Sequence, residues 1–316
     1  MSDHCCAPDR PADARPEGTS RRATIVPADG RHLIEQAELP GGTFTMGDQH
    51  GDGLAADGET PVHQVTLSPF SIDVTSVTNA DYARFVDATG YRTDAEMFGF
   101  SAVFHLAVQA KPSQIMSNAD GTPWWIGVRG ADWRHPGGPL SDLDGLDDHP
   151  VTHISWTDAR TYSRWAKRRL PTEAEWEYAS RGGVEGQRYP WGDELDTEDW
   201  ACNIWQGTFP KINTEQDGWL TTAPVRSYRP NGFGLWQTVG NVWEWCADWF
   251  DPLYYRAPSA ADPKGPPAGR ARVLRGGSYL CHDSYCNRYR NAARSSNTPD
   301  SSMGNAGFRT AVSFAP

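Results

Sequence analysis

The clearest helix start in this chain is Leu170-Pro171-Thr172-Glu173-Ala174-Glu175-Trp176. Thr172 is followed three residues later by Glu175, which is the spacing of a capping box at a helix N-terminus. Trp176 and Ala179 then fall on one face of the predicted helix, and Gly182-Gly183 ends it. From there to the C-terminus, short apolar stretches alternate with turn residues, and no long helix is predicted.

The residues before this helix predict a mixture of short strands and two further helices. Alternating apolar residues predict strands at 42–47, 62–67 and 69–72. A helix is predicted at 80–89, begun by Thr78-Asn79 and ended by Gly90, and another is capped by Ser155 or Thr157. We therefore predict a single α+β domain at 37–316, irregular, loop-rich and low in regular secondary structure, after a mobile tail at 1–36.

Composition excludes several classes of function. The 316 residues include 40 acidic and 29 basic side chains, a net charge of −11, which argues against binding to nucleic acid or to an anionic membrane. No apolar run approaches the roughly 20 residues that span a bilayer. The N-terminus carries no apolar segment typical of a signal peptide, so we expect a cytoplasmic protein, with a monomer as the default state.

Six cysteines are too few for a disulfide scaffold in a chain of this length. Two of them, Cys281 and Cys286, are five residues apart, so neither a helix nor a flat strand puts both on one face. No second pair is available for a zinc site, and the spacing differs from that of a thioredoxin-like motif. Spacing alone leaves two interpretations: an inert pair, or a sharply turned two-thiolate site suited to copper(I).

The residues around this pair resemble a known family, the formylglycine-generating enzymes or sulfatase-modifying factors. The resemblance extends from Leu39 to Phe314, and the cysteine pair is what distinguishes the generating enzymes within a wider superfamily that includes non-catalytic members. The matching blocks are Leu170–Tyr178, Asn203–Gly207, Gly240–Trp245, Arg275–Tyr279 running into Cys281 and Cys286, Asn287–Arg290, Ala292–Ser295, Asn297–Ser302 and Gly307–Arg309. The fold implied is related to the C-type lectin fold.

The resemblance implies an oxidase that converts the cysteine of a Cys-x-Pro-x-Arg segment, in an unfolded or nascent sulfatase, to Cα-formylglycine. It implies that copper(I) and O2 are required and that Cys281 and Cys286 hold the copper, with the substrate thiolate as a third ligand. Ser278 and Tyr285 match pocket positions whose hydroxyls position oxygen or water. Four residues match the substrate groove or the wall of the active site: Ser101, Trp243, Arg294 and Asn305.

The family also implies two structural calcium ions. One set of ligands comprises Asn203, Asp217 and the carbonyls of Ile204 and Trp219. The other comprises Gln237, Glu244 and the carbonyls of Gly240 and Val242. Gln237 departs from the Asn that is common in the family, and its longer side chain puts the second site in question.

A further departure concerns disulfides. Asn291 and Thr310 stand where secretory-pathway relatives carry bridging cysteines, which agrees with a cytosolic setting. Cys202 and Cys246 are therefore predicted to be buried thiols, with a bridge between them as the alternative. The tract His4-Cys5-Cys6 looks like a metal-binding tract but has no further ligands nearby.

Two other functions compete with the oxidase. A non-catalytic, lectin-like binding module of the same superfamily would make the cysteine pair incidental. An iron-dependent sulfoxide synthase would need a His-x-x-x-His-x-Glu motif on an additional helical domain, and residues 1 to 38 are too short to form one.

Overall fold

Helices are few and short in this protein. The structure, a computed structural model, describes residues 32–119, 121–195 and 199–314. In those residues the α-helices are α1 Asn79–Thr89, α2 Asp94–Phe98, α3 Trp156–Trp165 and α4 Glu173–Ser180. None of them is long and apolar enough to cross a membrane.

Each of these helices begins with a capping box. The predicted box of Thr172 and Glu175 starts α4, and Ser155, rather than Thr157, caps α3. Thr78 caps α1, which ends at Gly90 with the left-handed backbone that glycine favours. Helix α2 was not predicted, although Thr93 and Glu96 carry the same signal.

The strands are short and form several small sheets. They are β1 Gln36–Leu39, β2 Gly42–Met46, β3 His63–Leu67, β4 Phe70–Asp73, β5 Phe100–Phe104, β6 Ile115–Ala119, β7 Thr122–Arg129, β8 Gly207–Thr208, β9 Ile212–Asn213, β10 Trp243–Trp249, β11 Arg272–Arg275, β12 Arg294–Asn297, β13 Ala306–Gly307 and β14 Ala311–Ser313. The sheet orders are β1-β4-β14, β12-β11-β10-β13, β5-β7-β6, and the pairs β2-β3 and β8-β9. The predicted strands at 42–47, 62–67 and 69–72 correspond to β2, β3 and β4. The α+β, loop-rich fold is confirmed.

The sheet β12-β11-β10-β13 positions the functional residues. Strand β10 pairs antiparallel with β11 and parallel with β13, and β11 pairs antiparallel with β12. Large buried rings, including Trp176, Trp205, Trp243 and Trp245, pack in the main core cluster around this sheet. Those rings fill gaps between irregular loops that regular elements do not cover.

The ordered chain reaches slightly beyond the predicted N-terminal boundary. Strand β1 begins at Gln36, and His32 Nε2 lies 2.8 Å from Asp73 Oδ1. The predicted tail and the tract His4-Cys5-Cys6 otherwise lie outside the described residues.

Candidate functional site

The two cysteines lie on the long loop between β11 and β12. Gly276 and Gly277 begin this loop with φ of +95° and +73°, in the left-handed region that favours glycine. A Cβ on Gly277 would lie 2.6 Å from the Arg288 carbonyl oxygen. The two glycines therefore let the chain turn away from β11 and pack closely against the later part of the same loop, at Arg288.

The chain turns sharply between Cys281 and Cys286, as their spacing requires for joint action. The His282 carbonyl accepts hydrogen bonds from the backbone N–H groups of Tyr285, Cys286 and Asn287, at 3.0, 3.0 and 3.1 Å. Both cysteines carry thiols, and their exposed fractions are 0% and 3%. Both side chains belong to the main buried core cluster, while Asp283 and Ser284 in the turn between them are exposed.

Ser278 and Asn305 lie beside Cys281. The Ser278 N–H lies 3.4 Å from Cys281 Sγ, and its hydroxyl accepts a 2.9 Å hydrogen bond from Asn305 Nδ2. The Asn305 carbonyl in turn accepts from the Trp243 N–H at 2.8 Å. Four predicted site residues are therefore connected by direct contacts, and Ser278 is held with its hydroxyl oriented.

Aromatic rings pack around Tyr285, the residue that precedes Cys286. The Tyr285 ring stacks on Phe209 with centroids 4.1 Å apart, and meets Trp124 edge-on at 5.2 Å. Trp205 packs edge-on against Phe209 at 5.3 Å, and its backbone N–H donates to the Cys281 carbonyl at 3.0 Å. Phe209 and Trp124 were not predicted as site residues, since only the folded chain brings them to Tyr285.

Ser101 belongs to a polar cluster with His153 and Ser302. Its hydroxyl lies 2.7 Å from His153 Nδ1 and 2.9 Å from Ser302 Oγ. Burial lowers the pKa of His153 to about 4, so the ring is neutral at pH 7. The segment that carries Ser302 also carries Asn305, which connects Ser101 to the cysteine loop through backbone and not by direct contact.

Arg294 forms a buried ion pair with Glu173. Its guanidinium donates to both carboxylate oxygens of Glu173, at 2.6 and 3.0 Å, and to the Gly58 carbonyl at 2.8 Å. Burial opposes its charge, but the Glu173 carboxylate raises the pKa of Arg294 above its ordinary value. The structure places this residue in the core, and a contact between Arg294 and substrate stays a prediction.

The donor atoms at the cysteine turn fit a soft univalent cation. Two thiolates in an apolar, buried environment are ligands that copper(I) accepts at low coordination number. In the described ranges, no group of three or more His, Cys, Asp and Glu side chains is arranged to hold a metal. The candidate ligands at this turn are thus the two cysteine sulfurs.

Two members of the first predicted calcium set, Ile204 and Asp217, contact Gln206. Gln206 Oε1 accepts from the Asp217 N–H at 3.3 Å, and its amide donates to the Ile204 carbonyl. Asn203 Oδ1 is buried and has no hydrogen-bond partner among the described residues. Burial raises the pKa of Asp217. An unsatisfied amide oxygen and a desolvated carboxylate both fit a hard cation.

The second set offers fewer available oxygens. Gln237 Oε1 is likewise buried with no hydrogen-bond partner in the described chain, while its amide donates to the Pro224 carbonyl at 2.6 Å. Glu244 already accepts from Ser76, Trp176 and twice from Arg309, at 2.7 to 2.8 Å. The amide oxygen fits a cation, whereas the carboxylate is occupied.

The other two described cysteines are unreactive thiols. Cys202 and Cys246 are fully buried thiols, as predicted, and no disulfide joins them. Burial raises the pKa of both, so they stay protonated and unreactive near neutral pH.

Comparison with known proteins places this site in context. Residues 22–314 match the profile of the family described as "Sulfatase-modifying factor enzyme 1-like domain". The chain is 66% identical over 277 residues to the formylglycine-generating enzyme of Streptomyces coelicolor, covering 87% of this chain and 88% of that protein. It is 43% identical over 282 residues to the inactive Cα-formylglycine-generating enzyme 2 of Bos taurus, covering 88% of each. The solved structure of PvdO from Pseudomonas aeruginosa matches with a TM-score of 0.65 and 23% identity, over 94% of this chain and 100% of that one, and supports the fold alone.

Proposed function

This chain belongs to the sulfatase-modifying factor family, and we propose on that premise that it is a formylglycine-generating enzyme. It oxidises a cysteine of a sulfatase polypeptide to Cα-formylglycine and so activates the sulfatase. The observation that supports this proposal is the sharp turn between Cys281 and Cys286, both of which have buried side chains. An inactive relative exists within the family, so the site chemistry carries more weight than the fold.

The overall chemistry requires an oxidant and a reductant. The substrate CH2–SH group and O2, with two electrons and two protons from a thiol reductant, yield the aldehyde, hydrogen sulfide and water. One Cβ–H bond and the C–S bond are lost, and a C=O bond forms. We propose that Cys281 and Cys286 hold copper(I), which supplies a soft one-electron centre that accepts the substrate sulfur and reacts with O2.

The chain's own residues position the substrate and exclude water. Tyr285, which precedes Cys286 in the chain, packs against Phe209 and Trp124, and these rings add apolar surface beside the cysteine loop. Ser278 contacts Cys281 Sγ through its backbone N–H, and its hydroxyl is held in a fixed orientation by Asn305. Fixed groups in a dry pocket lower the barrier because they need no reorganisation during the reaction.

We propose that the client is an unfolded or nascent sulfatase with a Cys-x-Pro-x-Arg segment, and that the enzyme acts on it as a cytoplasmic monomer. An extended segment is required because the target cysteine must reach a buried pair of thiols. A folded sulfatase domain would be too bulky to enter.

The test is an assay on the purified protein with copper(I), O2, a thiol reductant and a peptide containing Leu-Cys-Thr-Pro-Ser-Arg. We expect an aldehyde product, detected by mass spectrometry and by its adduct with hydroxylamine. Cys281→Ala and Cys286→Ala should each abolish turnover, whereas Cys246→Ala, which removes a buried thiol outside the site, should retain it. Undiminished turnover in both site variants would refute the mechanism, and no aldehyde from the wild type would favour the non-catalytic binding module.

We also propose that calcium binds at Asn203, Asp217 and the carbonyls of Ile204 and Trp219. The unsatisfied Asn203 Oδ1 supports it, since a buried amide oxygen without a partner is costly. At the second set, Gln237 supplies a matching oxygen but Glu244 is bound to Arg309, so calcium there rests on Gln237 and on the carbonyls of Gly240 and Val242.

A further inference from the structure

A wide groove lies along one side of α3, away from the cysteine turn. We call it the α3 groove; it has a volume of about 920 Å³ and runs between α3 and the segments that carry Ser68 and Lys264. Its walls carry five cationic side chains and two carboxylates. The cations are Arg160, Arg164, Arg168, Arg169 and Lys264. This local excess of positive charge stands out in a chain whose net charge is −11.

Two of these cations have no neutralising partner. Arg160 and Arg164 are exposed, one helical turn apart on α3, and neither forms an ion pair within the described part of the chain. Partial desolvation lowers the pKa of Arg160, and the charge of Arg164 lowers it further. Like charges at this spacing destabilise a helix, so the pair has no local structural benefit.

A third arginine adds an unsatisfied donor close to the pair. The Arg272 guanidinium lies between the rings of Trp156 and Trp249, 3.8 and 3.3 Å from their centroids. Its Nε is buried and has no hydrogen-bond partner among described residues. Burial and the Arg160 charge lower the pKa of Arg272 to about 10, so it stays charged near pH 7.

The two carboxylates of the groove are already engaged. Glu175 accepts from Arg169 at 2.6 and 2.7 Å, and Asp262 accepts from the N–H and hydroxyl of Ser68, both at 2.7 Å. They leave Arg160 and Arg164 without a carboxylate partner, and they oppose a dense polyanion such as nucleic acid. A polypeptide whose carboxylates are spaced apart does not meet this electrostatic repulsion.

Apolar surface lines the same groove. Leu67, Leu170 and Ala247 lie along it, and Phe314 at its edge is 44% exposed. A groove with cationic side chains next to apolar surface can bind a polypeptide that carries both acidic and apolar side chains. A free phosphate or a nucleotide would leave the apolar part uncovered.

Strand β10 joins the groove to the cysteine site. Its first residue, Trp243, contacts Asn305 beside Cys281, and its last, Trp249, stacks on Arg272. Seven residues of strand span about 20 Å. A fully extended client covers that distance in about six residues. A linking segment of about a dozen residues is therefore long enough to follow the protein surface from the cysteine site to the groove.

We propose that the α3 groove binds an acidic segment of the client polypeptide, with at least one apolar side chain, that lies outside the cysteine motif. This inference rests on the proposed function for the identity of the client. The groove would then supply affinity that a five-residue motif alone lacks, because two linked contacts reinforce each other.

The first test measures binding without turnover. A fluorescein-labelled peptide of about a dozen residues, rich in Asp and Glu with one Leu, is titrated with the full chain and followed by anisotropy. We expect Arg160→Glu with Arg164→Glu to weaken binding about tenfold, through two lost charge contacts. The control is the double variant Arg92→Glu with Lys111→Glu, which reverses two exposed charges outside the groove. It should leave binding unchanged.

The second test measures turnover of two peptides, the short motif and the same motif followed by the acidic segment. We expect a lower KM for the long peptide, lost in the Arg160/Arg164 variant, with kcat and the short peptide unaffected. Equal affinity for Gln-substituted and acidic peptides, or preferential binding of a single-stranded oligonucleotide, would overturn the inference. If the short motif is not turned over by the wild type, the proposed function fails, and the anisotropy result still decides whether the groove binds acidic peptide.

Discussion

Buried charged residues hold the core around the cysteine loop. Glu173 pairs with Arg294 and also with Arg275, whose Nη1 lies 3.3 Å from Glu173 Oε1. Both arginines have no exposed surface. Removing one partner of such a pair leaves a buried, uncompensated charge, which costs about 3–5 kcal/mol. An arginine of this kind therefore has a structural role whatever it contributes to substrate binding.

Asp248 is a buried carboxyl that makes stability depend on pH. Burial, and then the nearby Glu173 charge, raise the pKa of Asp248 from 3.8 to about 8. Between those values the folded state holds a proton that the unfolded state has lost, so the free energy of unfolding falls as pH rises. We expect Asp248→Asn to remove this loss, so that the variant gains stability over wild type between pH 5 and pH 8, measured by urea unfolding at each pH.

The matched control for this variant is Asp87→Asn, at an exposed position on α1. It should leave the pH profile of the wild type unchanged. Parallel profiles for Asp248→Asn and wild type would show that Asp248 is ionised in the folded state. The amide side chain introduced by Asp248→Asn keeps an acceptor for the Glu173 N–H, which donates to Asp248 Oδ2 at 2.8 Å in the wild type.

Among the secondary-structure elements, helix starts were the most predictable feature. The capping box of Thr172 and Glu175 involves residues only three positions apart, so it can be recognised from the sequence. The structure forms this local contact, with the Thr172 N–H donating to Glu175 Oε2 at 2.8 Å. The same signal at Thr93 and Glu96 shows that α2 was predictable too. Strands β5 to β7 were not predicted, because the Gly-, Pro- and Trp-rich sequence around them hides their alternation.

Two glycines with the same backbone conformation test how tightly the loops pack. Gly58 and Gly90 have φ of +66° and +64°. A Cβ on Gly58 would lie 2.2 Å from the Pro252 carbonyl oxygen, whereas a Cβ on Gly90 meets no atom within 4 Å. We expect Gly90→Ala to cost only the left-handed strain, about 1–2 kcal/mol, and Gly58→Ala to cost clearly more.

Thermal unfolding of the two variants side by side gives the measurement. Because the strain is common to both, the difference in melting temperature reports the contact with Pro252 alone. Equal melting temperatures would mean that the loop carrying Gly58 moves freely away from the chain beneath it, and that the Arg294 bond to the Gly58 carbonyl does not fix it.

Across the molecule as a whole, loops without regular structure need other sources of stability. Removal of the proposed calcium should lower the melting temperature, because a ligand that binds only the folded state stabilises it by about 2.7 kcal/mol at a hundredfold excess over Kd. We expect a drop of about 5 °C or more on adding a calcium chelator, measured by differential scanning fluorimetry. Calcium, and not magnesium, should restore it.

The variant Asn203→Ala separates this effect from general ion binding. Without the Asn203 oxygen the first site loses a ligand, so the chelator should shift the melting temperature of the variant much less than that of the wild type. A wild-type melting temperature that the chelator leaves unchanged would contradict the calcium proposal.

Residue patterns along the chain were enough to identify the family, the loop-rich α+β class and the helix caps, and they predict that Cys281 and Cys286 form the site. Each of these depends on residues that are close in the chain, where backbone geometry translates spacing directly into contact. Folding alone determined that Tyr285 stacks on Phe209, that Arg294 pairs with Glu173, and that a cationic groove forms beside α3. Arg294 and Glu173, for example, are 121 positions apart. No local periodicity encodes such contacts, because they arise from how the irregular loops pack around the central sheet.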